Sequence, residues 1–139
     1  ALEQREIRHI LCAIDLGDAS ERVATWATDA AEKMGARLTV IHVVPHLERI
    51  PGEYFERDWE VEVKQLVTAD LEKLLAGKPG NPEILAEGGD PADAICGVAR
   101  ERAADLVVIG RGTASGIFGR MRAHAYEIIR ESPCPVVSV

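Results

Sequence analysis

Apolar runs with strand character alternate strictly with segments of helical spacing along this chain of 139 residues. Strands are predicted at Ile7–Ile14, Leu38–Val44, Glu83–Glu87, Leu106–Ile109 and Val136–Val139. The first two runs are mostly apolar, which is typical of strands buried on both faces of a parallel sheet. A helix between each pair of successive strands predicts right-handed crossovers that cover both faces. The sequence therefore predicts one α/β domain over residues 1–139, a three-layer doubly wound parallel sheet.

The helical segments have apolar residues three and four positions apart, and turn residues mark their ends. Ser20 or Asp18 is expected to cap the first helix, and Gly35 is expected to end it in the left-handed conformation. The buried stripe of that helix is predicted to include Trp26 and Met34.

Two further helices have identifiable punctuation. The second helix is expected to run from near Gly52 to before Gly77. Asp90 is the expected N-cap of the third helix, with Pro91 in its first position. Gly97 lies inside that helix at a cost of ~1 kcal/mol relative to alanine, and close packing on the sheet is the expected reason.

Composition excludes several classes of protein. The net charge is −7, whereas a nucleic-acid surface needs a clustered basic face. No apolar run approaches the ~20 residues of a membrane span, and no signal peptide opens the sequence. Cys12, Cys96 and Cys134 are odd in number and form no CxxC pair, so neither a disulfide framework nor a zinc site is indicated. A reducing cytoplasm is the predicted location.

Two polar features follow predicted strands at their carboxyl ends. Asp15 closes the first strand, and the glycine-rich segment Gly110–Gly119 follows the fourth. Ligands of open parallel sheets bind at such ends, where the strand order reverses. If the first and fourth strands are neighbours, the two features share one crevice. Asp15 would then bind adenine or ribose, or would instead cap a turn or helix.

The glycine-rich segment has two interpretations. Its backbone N–H groups would approach a phosphate closely at the start of a helix, or the glycines would only permit a flexible surface loop. It lacks the lysine of a P-loop, and its third glycine comes one residue too late for a dinucleotide fingerprint. The residues proposed to bind a nucleotide here are Gly110, Arg111, Gly112, Thr113, Ser115, Gly116, Gly119 and Arg122.

Catalytic and metal-binding signatures are weak. His42 and His46 would lie ~13 Å apart on a strand, too far to share an ion. No cysteine or carboxylate stands at ligand spacing from any histidine, and no G-x-S-x-G elbow occurs. The chain is therefore predicted to have no metal site and no catalytic residue, and not to be an enzyme.

Five motifs in order, ILCAIDLGDASERV, LTVIHVV, EGGDPADAI, ADLVVIGRG and SPCPVVSV, resemble the universal stress protein family along almost the whole chain. The resemblance implies a flavodoxin-like, adenine-nucleotide α-hydrolase-like sheet of strand order 3-2-1-4-5. It also implies a homodimer that pairs through the last strand, whose residues are Val136, Val137, Ser138 and Val139. Pairing would protect an otherwise open sheet edge.

The family has a branch that binds ATP and a branch that does not. In the binding branch, the positions of Asp15 and Val43 hold adenine and ribose, and a loop of the form G-x2-G-x9-G-[ST] holds the phosphates. Here only Arg111 separates the first two glycines, and Arg122 and Ala123 replace the last glycine and its hydroxyl residue.

Three hypotheses follow. The leading one is a non-enzymatic cytoplasmic stress-response domain that acts through partners or ligand, with a degenerate nucleotide site. The second is an ATP or AMP sensor, with Mg²⁺ if ATP binds, that uses Asp15 and an arginine-bearing loop. The third is an α-hydrolase-type enzyme, which would need a loop such as S-G-G-x-D-S that the sequence lacks.

Overall fold

The computed structural model of the chain describes residues 6–44, 56–111 and 120–139. Its elements are β1 (His9–Ala13), α1 (Ser20–Met34), β2 (Arg37–Val44), α2 (Glu56–Leu75), β3 (Glu83–Gly88), α3 (Pro91–Glu101), β4 (Leu106–Ile109), α4 (Arg120–Glu131) and β5 (Val136–Ser138). The predicted alternation of strand and helix is confirmed.

The five strands form one parallel sheet in the order β3-β2-β1-β4-β5. β1 lies at the centre, with Ile10 opposite Leu38 of β2 on one side and Leu106 of β4 on the other. The chain moves outward to β3, then returns past β1 and continues to β5. This confirms the doubly wound, flavodoxin-like fold, and it makes the carboxyl ends of β1 and β4 neighbours.

Each face of the sheet is covered by two helices. On one face, Val23 and Ala27 of α1 and Leu71 of α2 pack on the sheet. On the other, Ile95 of α3 and Ile128 of α4 do the same. Both cores are aliphatic, and fully burying one such Leu or Ile side chain contributes ~1.5–3 kcal/mol.

The beginning of α1 differs from the prediction. Neither Ser20 nor Asp18 caps it; Ala19 is the N-cap residue and makes no side-chain capping bond. The left-handed conformation of Gly35 is confirmed, with φ 63°. Trp26 and Met34 are 37% and 48% exposed, so their assignment to the buried stripe is wrong. The buried stripe is instead built from small side chains, which allow α1 to lie close to the sheet.

The predicted start of α3 is confirmed. The carboxylate of Asp90 accepts a hydrogen bond from the backbone N–H of Asp93 at 3.0 Å, and Pro91 follows the cap. The explanation of Gly97 is wrong, because a Cβ at this position would meet nothing within 4 Å. Among the described helices, none is both long and apolar enough to span a bilayer.

Candidate functional site

The crevice predicted between β1 and β4 exists at the carboxyl edge of the sheet. Cys12 lies opposite Val108, and beyond this pair the chain reaches Asp15 on one side and Gly110 on the other. A small cavity of about 20 Å³ lies there, bordered by residues that include Asp15, Ser20, Val23, Ile95, Gly110 and Ile128. This is room for about one water molecule, so a nucleotide would have to occupy the open side of the crevice.

Asp15 shapes the turn that leads from β1 into α1. Its Oδ1 atom accepts hydrogen bonds from the backbone N–H of Gly17 at 2.8 Å and from the Ser20 hydroxyl at 3.2 Å. Leu16, between Asp15 and Gly17, has a φ of 62°, which a non-glycine residue rarely adopts. The predicted role of Asp15 in capping a turn is therefore confirmed for its Oδ1 atom. No described residue donates a hydrogen bond to Oδ2, which leaves that atom available to a ligand.

The backbone N–H and C=O of Val43 point toward the space beyond the end of β1. Its side chain is 8% exposed and belongs to the core, so only its backbone could contact a ligand. The Ile41 carbonyl accepts from the N–H of Ile14, the last such bond between β2 and the β1 chain. Backbone groups two residues apart on a strand point to the same side. The N–H and C=O of Val43 therefore face the crevice side of β2.

Gly110 lies where α1 comes close to the end of β4. A Cβ at this position would be 3.2 Å from the Cγ2 atom of Val23, closer than ordinary packing allows. The Val23 side chain would have to give way by a few tenths of an ångström to admit a Cβ here. The first glycine of the predicted loop thus has a packing role whether or not a phosphate binds.

Arg111 is held at the rim of the crevice by its backbone. Its N–H donates to the Val139 carbonyl at 2.9 Å, and the Val139 N–H donates to the Ile109 carbonyl at 2.9 Å. These bonds continue the pairing of β4 with the C-terminal segment. The Arg111 side chain is exposed, so its guanidinium is free to meet an anion near the rim.

The remaining predicted phosphate-binding residues are not all described. Gly112, Thr113, Ser115, Gly116 and Gly119 lie outside the described residues. Arg122 lies in the first turn of α4, and its side chain is likewise outside the description. The prediction that these residues bind phosphate stays a prediction.

The described histidines of β1 and β2 have structural partners. His42 Nδ1 donates to the Ile14 carbonyl at 2.7 Å, which ties β2 to the chain just before Asp15. His9 is buried and contacts Thr39 and the Arg102 carbonyl. His46 lies outside the described residues. His42 therefore helps to hold the chain in place where it leaves β1 and enters the crevice.

The cysteines are not activated. Burial raises the pKa of the Cys12 thiol to about 12, so this thiol stays protonated at neutral pH. Burial also raises the pKa of Cys96 and of Cys134. All three are free thiols. A protonated thiol is a poor nucleophile and a poor metal ligand, so these residues pack rather than react.

Three residues that the sequence did not bring together meet beside the crevice. Asp90, His124 and Glu127 each present one possible ligand atom, and these atoms lie within 4.8 Å of one another. The prediction that no carboxylate stands at ligand spacing from a histidine is therefore wrong. The i, i+3 spacing of His124 and Glu127 was a usable signal, since it places both on one helix face. Asp90 is far away in sequence, and only the packing of α3 beside α4 brings it close.

Comparison with known proteins agrees with this architecture. The model of the universal stress protein family matches residues 6–139. The chain belongs to the universal stress protein family. This family member is also 32% identical over 135 residues to the "Universal stress protein in QAH/OAS sulfhydrylase 3'region" of Thermus aquaticus, an alignment that covers 94% of this chain and 96% of the relative.

Solved structures of other universal stress proteins share the fold. The protein UspA from Lactobacillus plantarum superposes with a TM-score of 0.76 at 20% identity, over 98% of this chain and 99% of that one. A universal stress protein from Archaeoglobus fulgidus, solved in complex with dAMP, superposes with a TM-score of 0.62 at 25% identity. That match covers 96% of this chain and 98% of the other.

Proposed function

We propose that this universal stress protein acts by binding rather than by catalysis, and that its crevice retains only the adenosine half of a nucleotide site. The main support for the proposal is that two groups near the end of β1 are both available to a ligand. The backbone of Val43 faces the side that β1 vacates, and the Oδ2 atom of Asp15 is unused by the turn. The relative from Archaeoglobus fulgidus that binds dAMP supports an adenine nucleotide as the ligand.

The phosphate half of the site is proposed to be degenerate. Arg122 and Ala123 stand where the family's ATP-binding pattern has glycine and a hydroxyl residue. The glycine admits phosphate against the backbone and the hydroxyl donates to it, so their loss removes contacts to the outer phosphates. AMP and ATP should then bind with similar affinity, within about threefold, because both use the adenosine contacts alone.

Isothermal titration of the nucleotide-free chain with AMP, and with ATP plus Mg²⁺, tests this proposal. Asp15→Asn is the decisive variant, because its amide oxygen still accepts from Gly17 and Ser20 while its NH₂ group replaces the Oδ2 acceptor. We expect the AMP affinity to fall ~10-fold or more, the loss of one hydrogen bond to a charged group. Asp18→Asn, on the exposed side of the same turn, is the matched control and should bind like the original chain.

Two results would contradict the proposal. The absence of heat with either nucleotide, from a chain shown to be folded by circular dichroism, would remove the adenosine half as well. The chain would then act through protein partners alone. Equal AMP affinity in the Asp15→Asn and Asp18→Asn variants would show that binding occurs elsewhere.

A second function, an ATP sensor that uses arginine for phosphate, is favoured by one observation. The Arg111 backbone is fixed at the rim of the crevice while its side chain remains exposed. A guanidinium there would pair with phosphate charge, and Mg²⁺ would accompany ATP. This function predicts that ATP binds at least ~10-fold more tightly than AMP and that Arg111→Ala or Arg122→Ala abolishes the difference.

The chain is also proposed to be a homodimer that pairs through β5. Within the described residues, β5 pairs with β4 alone, so its other edge presents unpaired backbone groups. Pairing of this edge with a second copy satisfies those groups and removes an aggregation hazard. The dimer would present its crevices to protein partners that transmit the stress response. Three free cysteines fit a reducing compartment, so the proposed location is the cytoplasm.

A further inference from the structure

Helices α3 and α4 lie side by side and run in the same direction. The Cys96 thiol contacts the Ile128 carbonyl at 3.9 Å, and Arg100 Nη2 donates to the Glu131 carbonyl at 2.9 Å. These contacts set a register in which residues near the start of α3 face the first turns of α4. The register brings the N-cap of α3, Asp90, beside the first turns of α4, within reach of the His124 side chain.

Three side chains of different chemistry converge at this end of the helix pair. Asp90, His124 and Glu127 present one imidazole nitrogen and two carboxylate oxygens, all within 4.8 Å of one another. Asp90 is anchored, because one of its oxygens accepts from the Asp93 N–H at 3.0 Å. His124 and Glu127 lie three residues apart on α4 and therefore share a face. Two helices thus present their ligand atoms to one point.

Asp90 and Glu127 are exposed, but one polar atom of the cluster is buried without a partner among the described residues. The Nδ1 atom of His124 is shielded from solvent and has no hydrogen-bond partner in the described part of the chain. No lysine or arginine of the described residues forms an ion pair with Asp90 or Glu127. Two carboxylates that approach each other repel unless a positive charge lies between them. A cation at the centre would satisfy the carboxylates and the imidazole together.

We propose that Asp90, His124 and Glu127 bind a transition-metal cation of the Zn²⁺ class between α3 and α4. Imidazole favours Zn²⁺, Ni²⁺ or Cu²⁺, whereas Mg²⁺ and Ca²⁺ prefer sites made of oxygen alone. Ligand atoms ~2.0–2.2 Å from Zn²⁺ lie ~3.5 Å apart in a tetrahedral site, so small side-chain rotations close the cluster. Three protein ligands leave a fourth position open to water or to an external ligand.

The proposed ion would join two elements that border the crevice. α4 begins directly after the glycine-rich segment, and Ile95 of α3 and Ile128 of α4 both line the crevice. A metal between the helices would fix their separation at the edge of the sheet where the segment enters α4. The proposal does not depend on nucleotide binding, since none of its three ligands is a proposed nucleotide contact.

Titration of the metal-free chain with ZnCl₂, followed by isothermal calorimetry, tests the site. We expect one saturable Zn²⁺ per chain, and a visible d–d absorption when CoCl₂ is used instead. His124→Gln removes the imidazole at similar volume, and Glu127→Gln removes only a charge. Each should weaken Zn²⁺ binding at least ~10-fold. Glu72→Gln, an exposed charge change on α2, is the matched control and should leave the affinity unchanged.

Three outcomes would overturn the proposal. The first is the absence of saturable Zn²⁺ binding by the original chain. The second is equal Zn²⁺ affinity in His124→Gln, Glu127→Gln and Glu72→Gln, which would assign the ion to other groups. The third is displacement of Zn²⁺ by equimolar MgCl₂, which would make the cluster an oxygen-type site. An unchanged circular dichroism spectrum of His124→Gln would show that the variant still folds.

Discussion

The Nε2 atom of His9 lies 2.7 Å from the Oγ1 atom of Thr39 on the neighbouring strand, in the buried lower edge of the sheet. Thr39 Oγ1 also lies 3.1 Å from a carboxylate oxygen of Glu83, which the guanidinium of Arg102 contacts at 2.9 Å. His9 Nδ1 closes the ring at the Arg102 carbonyl, 3.0 Å away. This network joins β1, β2 and β3 to the end of α3.

The number of hydrogen bonds in this network depends on how many protons the His9 ring carries. A threonine hydroxyl has one proton to donate. If Thr39 donates to Glu83, His9 must donate from both ring nitrogens, because the Arg102 carbonyl only accepts. If His9 carries a single proton on Nδ1, Thr39 donates to Nε2 and its bond to Glu83 is lost. The full ring therefore forms only when His9 is doubly protonated.

Thr39→Val should destabilise the fold by about 1–3 kcal/mol, because it leaves the buried His9 Nε2 atom without a partner. Thr39→Ser keeps the hydroxyl and should cost less, mainly the burial of one methyl group. Urea unfolding of both variants checks this expectation. Equal stability of Thr39→Val and the original chain would show that the Thr39 hydroxyl contributes nothing to the ring.

Glu83 should make the free energy of unfolding fall more steeply as the pH is lowered. The Arg102 hydrogen bond, with a smaller contribution from Thr39, holds the pKa of Glu83 below its usual 4.5. A lowered folded pKa means that Glu83 stabilises the fold above pH 4.5 and loses this contribution as pH falls through the folded value. The Glu83–Arg102 pair is screened by solvent, so this contribution to stability should be small. Urea unfolding from pH 7 to pH 3 should show the original chain converging on Glu83→Gln in acid. A constant difference across this range would contradict the assignment.

Restoring the family's phosphate pattern should increase ATP affinity. The double variant Arg122→Gly with Ala123→Ser returns a close backbone approach and a hydroxyl donor to the start of α4. One or two hydrogen bonds to charged phosphate oxygens correspond to ~10–100-fold in the ATP dissociation constant. AMP affinity should change less, because AMP lacks the outer phosphates. Isothermal titration measures both, with Arg120→Gly as a control that adds glycine outside the pattern. A fall in ATP affinity would instead favour the arginine-based sensor.

Ser138→Pro should separate dimer formation from folding. The Pro135 carbonyl accepts from the Val107 N–H, and the Val139 N–H donates to the Ile109 carbonyl. The backbone groups of odd-numbered residues in the C-terminal segment therefore face β4. Ser138 therefore directs its N–H to the open edge, where proline removes it without breaking the β4 ladder. Light scattering coupled to size-exclusion chromatography should report a monomer with unchanged circular dichroism. A dimer that survives in Ser138→Pro would show that β5 is not the interface. Ser138→Ala is the matched control, because it changes the side chain and keeps the N–H, and it should remain a dimer. Ser132→Pro would not serve as a control, because the Ser132 N–H donates to the Ile128 carbonyl at 2.8 Å.

The two halves of the crevice were predictable because each is marked by a local pattern. Asp15 follows a buried apolar strand, and Gly110 follows another, so both positions were expected at a carboxyl edge. The apolar stripe of α1 was less predictable. Trp26 is apolar and has the right spacing, yet small residues such as Ala24 occupy the buried face. Spacing identifies the side of a helix only to within one residue's rotation, about 100°.

By itself, the amino-acid sequence determined the alternation of strands and helices, the N-cap at Asp90 and the family to which the chain belongs. These properties depend on residues close together in the chain or on motifs read in order. Only the tertiary structure decided that Asp90 meets His124 and Glu127, and that His9, Thr39 and Glu83 form one network. Those contacts depend on which strands are neighbours and on the register of α3 against α4. Register is set by the packing of whole faces, which no local pattern specifies.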